Sequence, residues 1–308
     1  MPVILDGKKV QEAIQASLKP RVERMAAGLR PPGLAVVLVG NDPASEIYVR
    51  NKVKACRQLG IYSEKHLPAA DVSNEDLLFL IHSLNARPDI DGILVQSPLP
   101  DHLDTDQVLL AIDPAKDVDG FHPLNVGLLV ANGSAPRACT PAGIMKLLEH
   151  YSIPVAGKRA VVVGRSDIVG KPVALMLLHA NATVTICHSR TRDLAAECRR
   201  ADIVVAAIGR PAFLTPEHIS EHAVVVDVGI NRLSDRADVE RIFVGDAEKL
   251  AALESKGSVL VGDVHPAVHP RCQAYTPVPG GVGPLTIAML MSNTVACAQR
   301  RLGLEGGC

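Results

Sequence analysis

Val161-Val162-Val163-Gly164-Arg165-Ser166-Asp167-Ile168-Val169-Gly170-Lys171-Pro172 reads as an apolar strand, a tight turn and the start of a helix. Glycine in such a turn lets the backbone approach a pyrophosphate, whose charge then sits at the N-terminus of the following helix. The spacing departs from Gly-x-Gly-x-x-Gly: Ser166 stands in the second glycine position and Gly170 comes one residue late. Alone, the pattern fits a plain strand-to-helix turn equally well. Its surroundings carry more weight. Strand candidates at 160–163, 183–187, 203–207 and 224–228, with helical stretches between most of them, give the alternation of a doubly wound dinucleotide-binding domain. After the second of these strands an NAD site would place a carboxylate on the ribose 2′-hydroxyl. The chain instead has His188-Ser189-Arg190-Thr191-Arg192, without an acid. Hydroxyl and guanidinium groups there, with Arg165 in the turn, suit a 2′-phosphate, so the expected cofactor is NADP. Taken singly, Arg190 and Arg192 also fit a solvated helix start.

Upstream, Leu34-Ala35-Val36-Val37-Leu38-Val39-Gly40 is a candidate buried strand, followed by a turn and cap at Asn41-Asp42-Pro43-Ala44-Ser45. The spacing then predicts a helix of about four turns up to Gly60, with Tyr48 and Lys52 four residues apart on one face. An aromatic ring and an ammonium so placed can address one ligand, although a half-buried Tyr beside a solvated Lys is the commoner meaning of such a pair. Ser73 and Asp76 form a capping-box pattern for a helix ending near Pro88. A second buried strand, Ile90-Asp91-Gly92-Ile93-Leu94-Val95-Gln96, brings Gln96 to the same end as the Lys52 helix if the sheet is parallel, and open α/β sheets bind ligands at that end. Asp117-Val118-Asp119-Gly120-Phe121-His122 has the composition of a loop. The amino-terminal stripe Val10, Ile14, Leu18, Val22 and Met25 is helical, with a kink or a break expected at Pro20. Thr140-Pro141 starts a helix to about Tyr151, and 285–302 reads as an apolar helix that packs back onto the first domain.

The chain of 308 residues is long enough for two domains, and with 47% hydrophobic residues, no Trp and four Phe its core must be mostly aliphatic. A formal charge of -1 without basic runs leaves no electrostatic footprint for nucleic acid or an anionic membrane. Seven scattered cysteines without CxxC spacing point to reduced thiols in a cytosolic protein and to no zinc site. His265 and His269, beside prolines, fit surface loop residues better than metal ligands. Folded-domain sequence from Met1 onward leaves no room for a targeting peptide, and no apolar run reaches membrane-spanning length.

Five segments together resemble one enzyme family over nearly the whole chain: Tyr48-Val49-Arg50-Asn51-Lys52-Val53-Lys54, Val95-Gln96-Ser97-Pro98-Leu99-Pro100, Asp117-Val118-Asp119-Gly120-Phe121, the Gly164 turn, and Thr276-Pro277-Val278-Pro279-Gly280-Gly281-Val282-Gly283-Pro284. The family is the bifunctional methylenetetrahydrofolate dehydrogenase/methenyltetrahydrofolate cyclohydrolases. The resemblance implies oxidation of 5,10-methylenetetrahydrofolate by NADP+ and hydrolysis of the methenyl product to 10-formyltetrahydrofolate, in a cytosolic homodimer acting on small tetrahydrofolate derivatives. It implies two α/β domains, the second a Rossmann-type doubly wound dinucleotide-binding domain, with a substrate cleft between them. Residues 1–140, completed by 285–308, would form the catalytic, folate-binding domain, and 141–284 the NADP-binding domain. By the same resemblance Lys52 is the catalytic lysine, Gln96 orients it, Tyr48 stacks on the aminobenzoyl ring and Asp119 takes the pterin end. Val95, Pro279, Gly280, Gly281, Val282 and Gly283 join the folate contacts, and Gly164, Arg165, Ser166, Ser189 and Ile230 match the NADP contacts. Leu285 replaces the family's usual Met, and Val264-His265-Pro266-Ala267-Val268-His269-Pro270-Arg271-Cys272 departs from its acidic stretch. Three other readings stand beside this one: a dehydrogenase without cyclohydrolase activity, a shikimate-type dehydrogenase, and a folate-binding protein without turnover.

Overall fold

In the computed structural model, which describes residues 1–304, the chain divides into two units, Met1–Val10 with Thr140–Leu285 and Gln11–Cys139 with the chain from Thr286 onward. The second of these is built on a three-stranded parallel sheet. Its central strand Gly33–Val37 is buried at every position, between Tyr62–His66 and Gly92–Val95. A strand covered on both faces needs apolar residues throughout rather than in alternation, which is what its sequence supplies. The flanking strand Tyr62–His66 is partly exposed and rich in polar residues, and it escapes a search for apolar runs. Leu77, Ile81 and Leu84 of the Asn74–Ala86 helix pack with Ala35, Val37 and Ile93, each contributing about 1.5–3 kcal/mol by burial.

Local signals fix the ends of these elements. The Pro43–Leu59 helix is capped by the Asp42 carboxylate, which accepts from the Ser45 N–H at 2.8 Å, and stops at Gly60 in the left-handed region, φ 79°. Ser73 Oγ accepts from the Asp76 N–H at 3.0 Å, so the capping pattern is real. The Asn74–Ala86 helix ends two residues before Pro88, and the buried Lys116 ammonium donates to Leu84 O, Asn85 O and Arg87 O at that end. Burial lowers the Lys116 pKa to about 8. Asp91, fully buried, accepts a bidentate pair from Arg30 at 2.6 and 2.8 Å and the Gly33 N–H at 2.9 Å, anchoring the start of the central strand.

The other unit carries a six-stranded parallel sheet in the order Val3–Ile4, Ala274–Tyr275, Val224–Asp227, Ile203–Ala206, Arg159–Val163, Thr183–Cys187. The chain leaves Arg159–Val163 for one side, then returns to build on the other. The switch point of this doubly wound sheet therefore lies at the carboxyl end of Arg159–Val163, where Gly164 follows. A short antiparallel pair, Asn231–Leu233 with Val259–Val261, stands apart.

Two expectations need correction. Pro20 neither ends nor splits its helix: Gly7–Gly28 runs unbroken with Pro20 exposed, so the carbonyl one turn back that lacks a proline amide can face water. By pairing, Val3–Ile4 lies in parallel with Ala274–Tyr275, so Met1–Val10 groups with the six-stranded sheet. The carboxyl-terminal helix is Gly283–Arg301, and positions 305–308 of the expected 285–308 segment lie outside the described residues. Among the described residues no helix is long and apolar enough to cross a membrane.

Candidate active site

Lys52 projects from the Pro43–Leu59 helix, Gln96 follows the Gly92–Val95 strand, and the two strands that carry this end of the sheet are parallel. The Lys52 side chain is buried, 8% exposed, and its Nζ donates to Gln96 Oε1 at 2.9 Å. A solvated surface lysine is thereby ruled out. Gln96 is itself held at both ends: its backbone N–H donates to Val37 O at 2.8 Å and its Nε2 to Ser97 O at 2.7 Å, so Oε1 has one direction left, toward the amine. One turn before Lys52, Tyr48 is half exposed, with its ring available to a ligand. Val95, the last residue of its strand, is half-buried.

Asp119 lies on the loop that follows Asp117. The backbone at 116–117 pairs with Ile93, which directs the loop to the same end of the sheet as Gln96. Asp117, almost fully buried, accepts from the N–H groups of Gly120 and His122 at 3.0 and 2.8 Å and from Asn125 Nδ2 at 2.9 Å. Asn293, on the Gly283–Arg301 helix, donates to Val118 O and Arg137 O at 2.8 Å each. Gly120 has φ 73°, and a Cβ there would come within 2.4 Å of the Arg137 backbone, so no other residue fits beside Asp119. Burial pushes the Asp119 carboxyl up to about 6, with the Lys52 ammonium pulling it down and the Asp117 charge adding to the rise. A carboxyl poised near the working pH is a common mark of a functional group.

Nothing in residue type separates Asp117 from Asp119, two apart in one motif. The structure does: Asp117 is consumed by its own loop, while Asp119 is half-buried and lacks such N–H partners among the described residues. Asn125 and Asn293 carry no sequence signal, since each acts by bonding backbone from a distant position.

In the other unit, the residues expected at a dinucleotide all fall at the carboxyl edge of the six-stranded sheet. Gly164 and Arg165 follow Arg159–Val163, Ser189 follows Thr183–Cys187, and Ile230 follows Val224–Asp227. Arg165, Ser166, Ser189 and Ile230 are exposed. Gly164 has φ 124°, and a Cβ would meet Ala207 O at 2.1 Å, so the turn packs directly on the next loop. Ser166 Oγ accepts from the N–H groups of Val169 and Gly170 at 3.3 and 3.2 Å, which ties the turn to the start of the Gly170–His179 helix. These residues fit a dinucleotide: a glycine cradle at the switch point, a helix N-terminus, and an exposed Arg and Ser on adjacent strand ends. Arg190 and Arg192 are also exposed, the first donating its backbone N–H to His188 Nδ1. Further along, Gly280 O accepts from Gly7 N and Gly281 N donates to Pro277 O, with Pro279 and Gly283 exposed and Val282 buried. A Cβ on Gly283 would lie 3.6 Å from Ile230 Cδ1, which puts this loop beside the last of the dinucleotide residues.

His269 is not a surface loop residue: it stacks on Tyr275 with ring centroids 4.1 Å apart, and burial lowers its pKa to about 4. His265 caps the short helix Pro266–Arg271, accepting from the Ala267 N–H. Among the described residues no cluster of His, Cys, Asp and Glu could hold a metal.

Two family models match in chain order: the catalytic domain of the tetrahydrofolate dehydrogenase/cyclohydrolases over residues 5–119, and their NAD(P)-binding domain over 138–302. The bifunctional protein FolD of Solibacter usitatus is 63% identical over 305 residues, 99% of this chain and 100% of its own length. That of Koribacter versatilis is 60% identical, over 98% of this chain and 99% of its own. Among solved structures, the FolD methylenetetrahydrofolate dehydrogenase/cyclohydrolase of Campylobacter jejuni superposes with a TM-score of 0.89 at 43% identity, covering 98% of this chain and 100% of its own. The Trypanosoma brucei enzyme, solved with NADP cofactor and an inhibitor, gives 0.87 at 37% identity over 98% of each chain. With identity this high across both halves and along the full length of these relatives, the chain belongs to the tetrahydrofolate dehydrogenase/cyclohydrolase family.

Proposed function

We propose that this protein oxidises 5,10-methylenetetrahydrofolate with NADP+ and hydrolyses the methenyl product to 10-formyltetrahydrofolate, with Lys52, Gln96, Tyr48 and Asp119 at the folate. The observation that carries this reading is the buried Lys52 amine held by Gln96 at 2.9 Å. NADP+, when bound, accepts the hydride. That step needs alignment rather than a proton carrier, because the carbon losing hydride is flanked by two nitrogens that stabilise the cation. Hydrolysis asks for one group that takes a proton from the attacking water and returns one to the leaving nitrogen. Lys52 fills that role, and Gln96 aims it without adding charge. Tyr48 offers its ring face to the aminobenzoyl group, and the Asp119 carboxylate accepts from the aminopyrimidine edge of the pterin.

Folate contacts by Val95, Pro279, Gly280, Gly281, Val282 and Gly283, and dinucleotide contacts by Gly164, Arg165, Ser166, Ser189 and Ile230, complete the assignment. The missing acid at 188–192 and the exposed Arg165 and Ser189 favour the 2′-phosphate of NADP. A homodimer is supported by the outermost strand Thr183–Cys187, which leaves Ile186 43% exposed on an unpaired sheet edge. The buried thiols of Cys56, Cys139, Cys187, Cys198 and Cys272 support a reducing, cytoplasmic location.

The test is one spectrophotometric experiment. Purified protein with methylenetetrahydrofolate and NADP+ gives NADPH, and methenyl absorbance then decays faster than in buffer. NADPH without accelerated decay would leave a monofunctional dehydrogenase. Folate binding with neither signal would leave a binding protein.

A further inference from the structure

Behind the dinucleotide edge lies a polar structure that the reaction itself does not use. Asp227 ends the strand Val224–Asp227, is 3% exposed, and accepts from the N–H groups of Gly229, Asp263 and Val264, each at 2.9 Å. It thereby fixes the turn that presents Asp263. Asp263 is fully buried, and its carboxylate is met by four N–H donors: those of Ile208 at 2.6 Å, Gly209 at 2.9 Å and Arg210 at 2.9 Å, and Asn231 Nδ2 at 3.0 Å. A buried carboxylate held by backbone amides is costly to remove, because its partners are left desolvated and unbonded.

The place of those donors matters. Ile208–Arg210 continues the loop whose Ala207 O lies against Gly164, so close that a Cβ on the glycine would sit 2.1 Å away. Asn231 directly follows Ile230. One carboxylate therefore ties together the loops after two neighbouring strands, Ile203–Ala206 and Val224–Asp227, on one side of the switch point.

We propose that Asp263 is a positioning residue for the dinucleotide, setting the backbone at 207–210 and at Ile230 so that the carboxyl edge is shaped before NADP+ arrives. This rests on the assignment of that edge to NADP. Asp263→Asn keeps the shape of the side chain but puts an amide where only acceptors fit, so at least one loop N–H loses its partner and faces a donor.

The experiment measures three things on the full-length variant: NADP+ affinity by titration calorimetry, the cyclohydrolase rate on methenyltetrahydrofolate without dinucleotide, and Tm. Expected are an NADP+ Kd raised by about tenfold or more, as for an orphaned buried donor, and a hydrolysis rate within about twofold of the parent. Parallel loss of both in a folded protein would make Asp263 a general structural residue, and unchanged NADP+ affinity would overturn the proposal outright. Should Asp263→Asn fail to fold, Asn231→Ala removes one of the four donors and leaves the carboxylate. An NADP+ Kd raised about threefold then supports the assignment, and an unchanged one overturns it. Arg165→Ala separates this inference from the site assignment beneath it. If Arg165→Ala weakens NADP+ and Asp263→Asn does not, only the role of Asp263 fails. If neither does, the dinucleotide binds elsewhere.

Discussion

At the carboxyl end of the three-stranded sheet the proposed functional atoms belong to side chains: the amine of Lys52, the amide of Gln96, the carboxyl of Asp119. At the carboxyl edge of the six-stranded sheet the proposed dinucleotide contacts are mostly backbone, shaped by Gly164, by the Ser166 hydroxyl and by the Asp227 and Asp263 carboxylates beneath. A proton carrier must be a particular group, and replacing it removes the chemistry. A cradle for phosphates is a conformation, which many residues hold jointly. Substitutions in the first region should therefore separate the two activities sharply, and those in the second should change affinity by smaller steps.

The sharpest break is Lys52→Met, which keeps the buried stem but removes the amine. Cyclohydrolase activity should fall by roughly 10²- to 10⁴-fold, with dehydrogenase activity partly retained, followed as methenyl decay and NADPH formation in one sample. Equal loss of both would assign Lys52 to positioning alone. Next is Asp119→Ala, which should raise the folate KM in both reactions by roughly 10- to 100-fold, because pterin donors lose a desolvated acceptor. An effect on only one activity would remove Asp119 from the folate.

A third effect concerns pH. With its carboxyl raised to about 6, Asp119 is increasingly protonated below that pH, so kcat/KM for folate should drop as pH falls through 6. Stability runs the other way. The raised pKa means the folded state favours the neutral acid, so the stability linked to this group is full below the ordinary carboxylate value and is lost as pH rises through about 6. Asp119→Asn should therefore raise Tm at neutral pH while weakening folate and flattening the pH profile, the trade expected where a site is strained for use. A lower Tm for Asp119→Asn would show that the carboxylate is stabilised rather than strained.

Smaller again is Arg165→Ala. Loss of an exposed guanidinium should raise the KM for NADP+ by about fivefold and leave that for NAD+ nearly unchanged. Equal catalytic efficiency with both cofactors in the parent enzyme would sink the 2′-phosphate assignment. Smallest is Leu285→Met, a volume-conserving change in a fully buried position that should shift stability by less than about 1.5 kcal/mol in a denaturant titration.

By itself the sequence determined what depends on residue type and short spacing. Alternating apolar strands and helices gave both parallel sheets; caps at Asp42 and Ser73 and the stop at Gly60 gave helix ends; the Tyr48 and Lys52 spacing placed both on one helix. Tertiary structure alone decided what depends on partners far along the chain. Val3–Ile4 is too short and too exposed to signal a strand, yet it pairs with Ala274–Tyr275 and carries residues 1–10 into the other unit. Pro20 breaks a helix by local rules, but its exposed position lets water satisfy the carbonyl it abandons. Asp263 and Asn293 look like ordinary loop or helix polar residues until folding buries them against backbone N–H and C=O groups 53 to 175 positions away. Burial of a polar group is favourable only when its bonds are made, and no window of sequence contains both partners of a long-range bond.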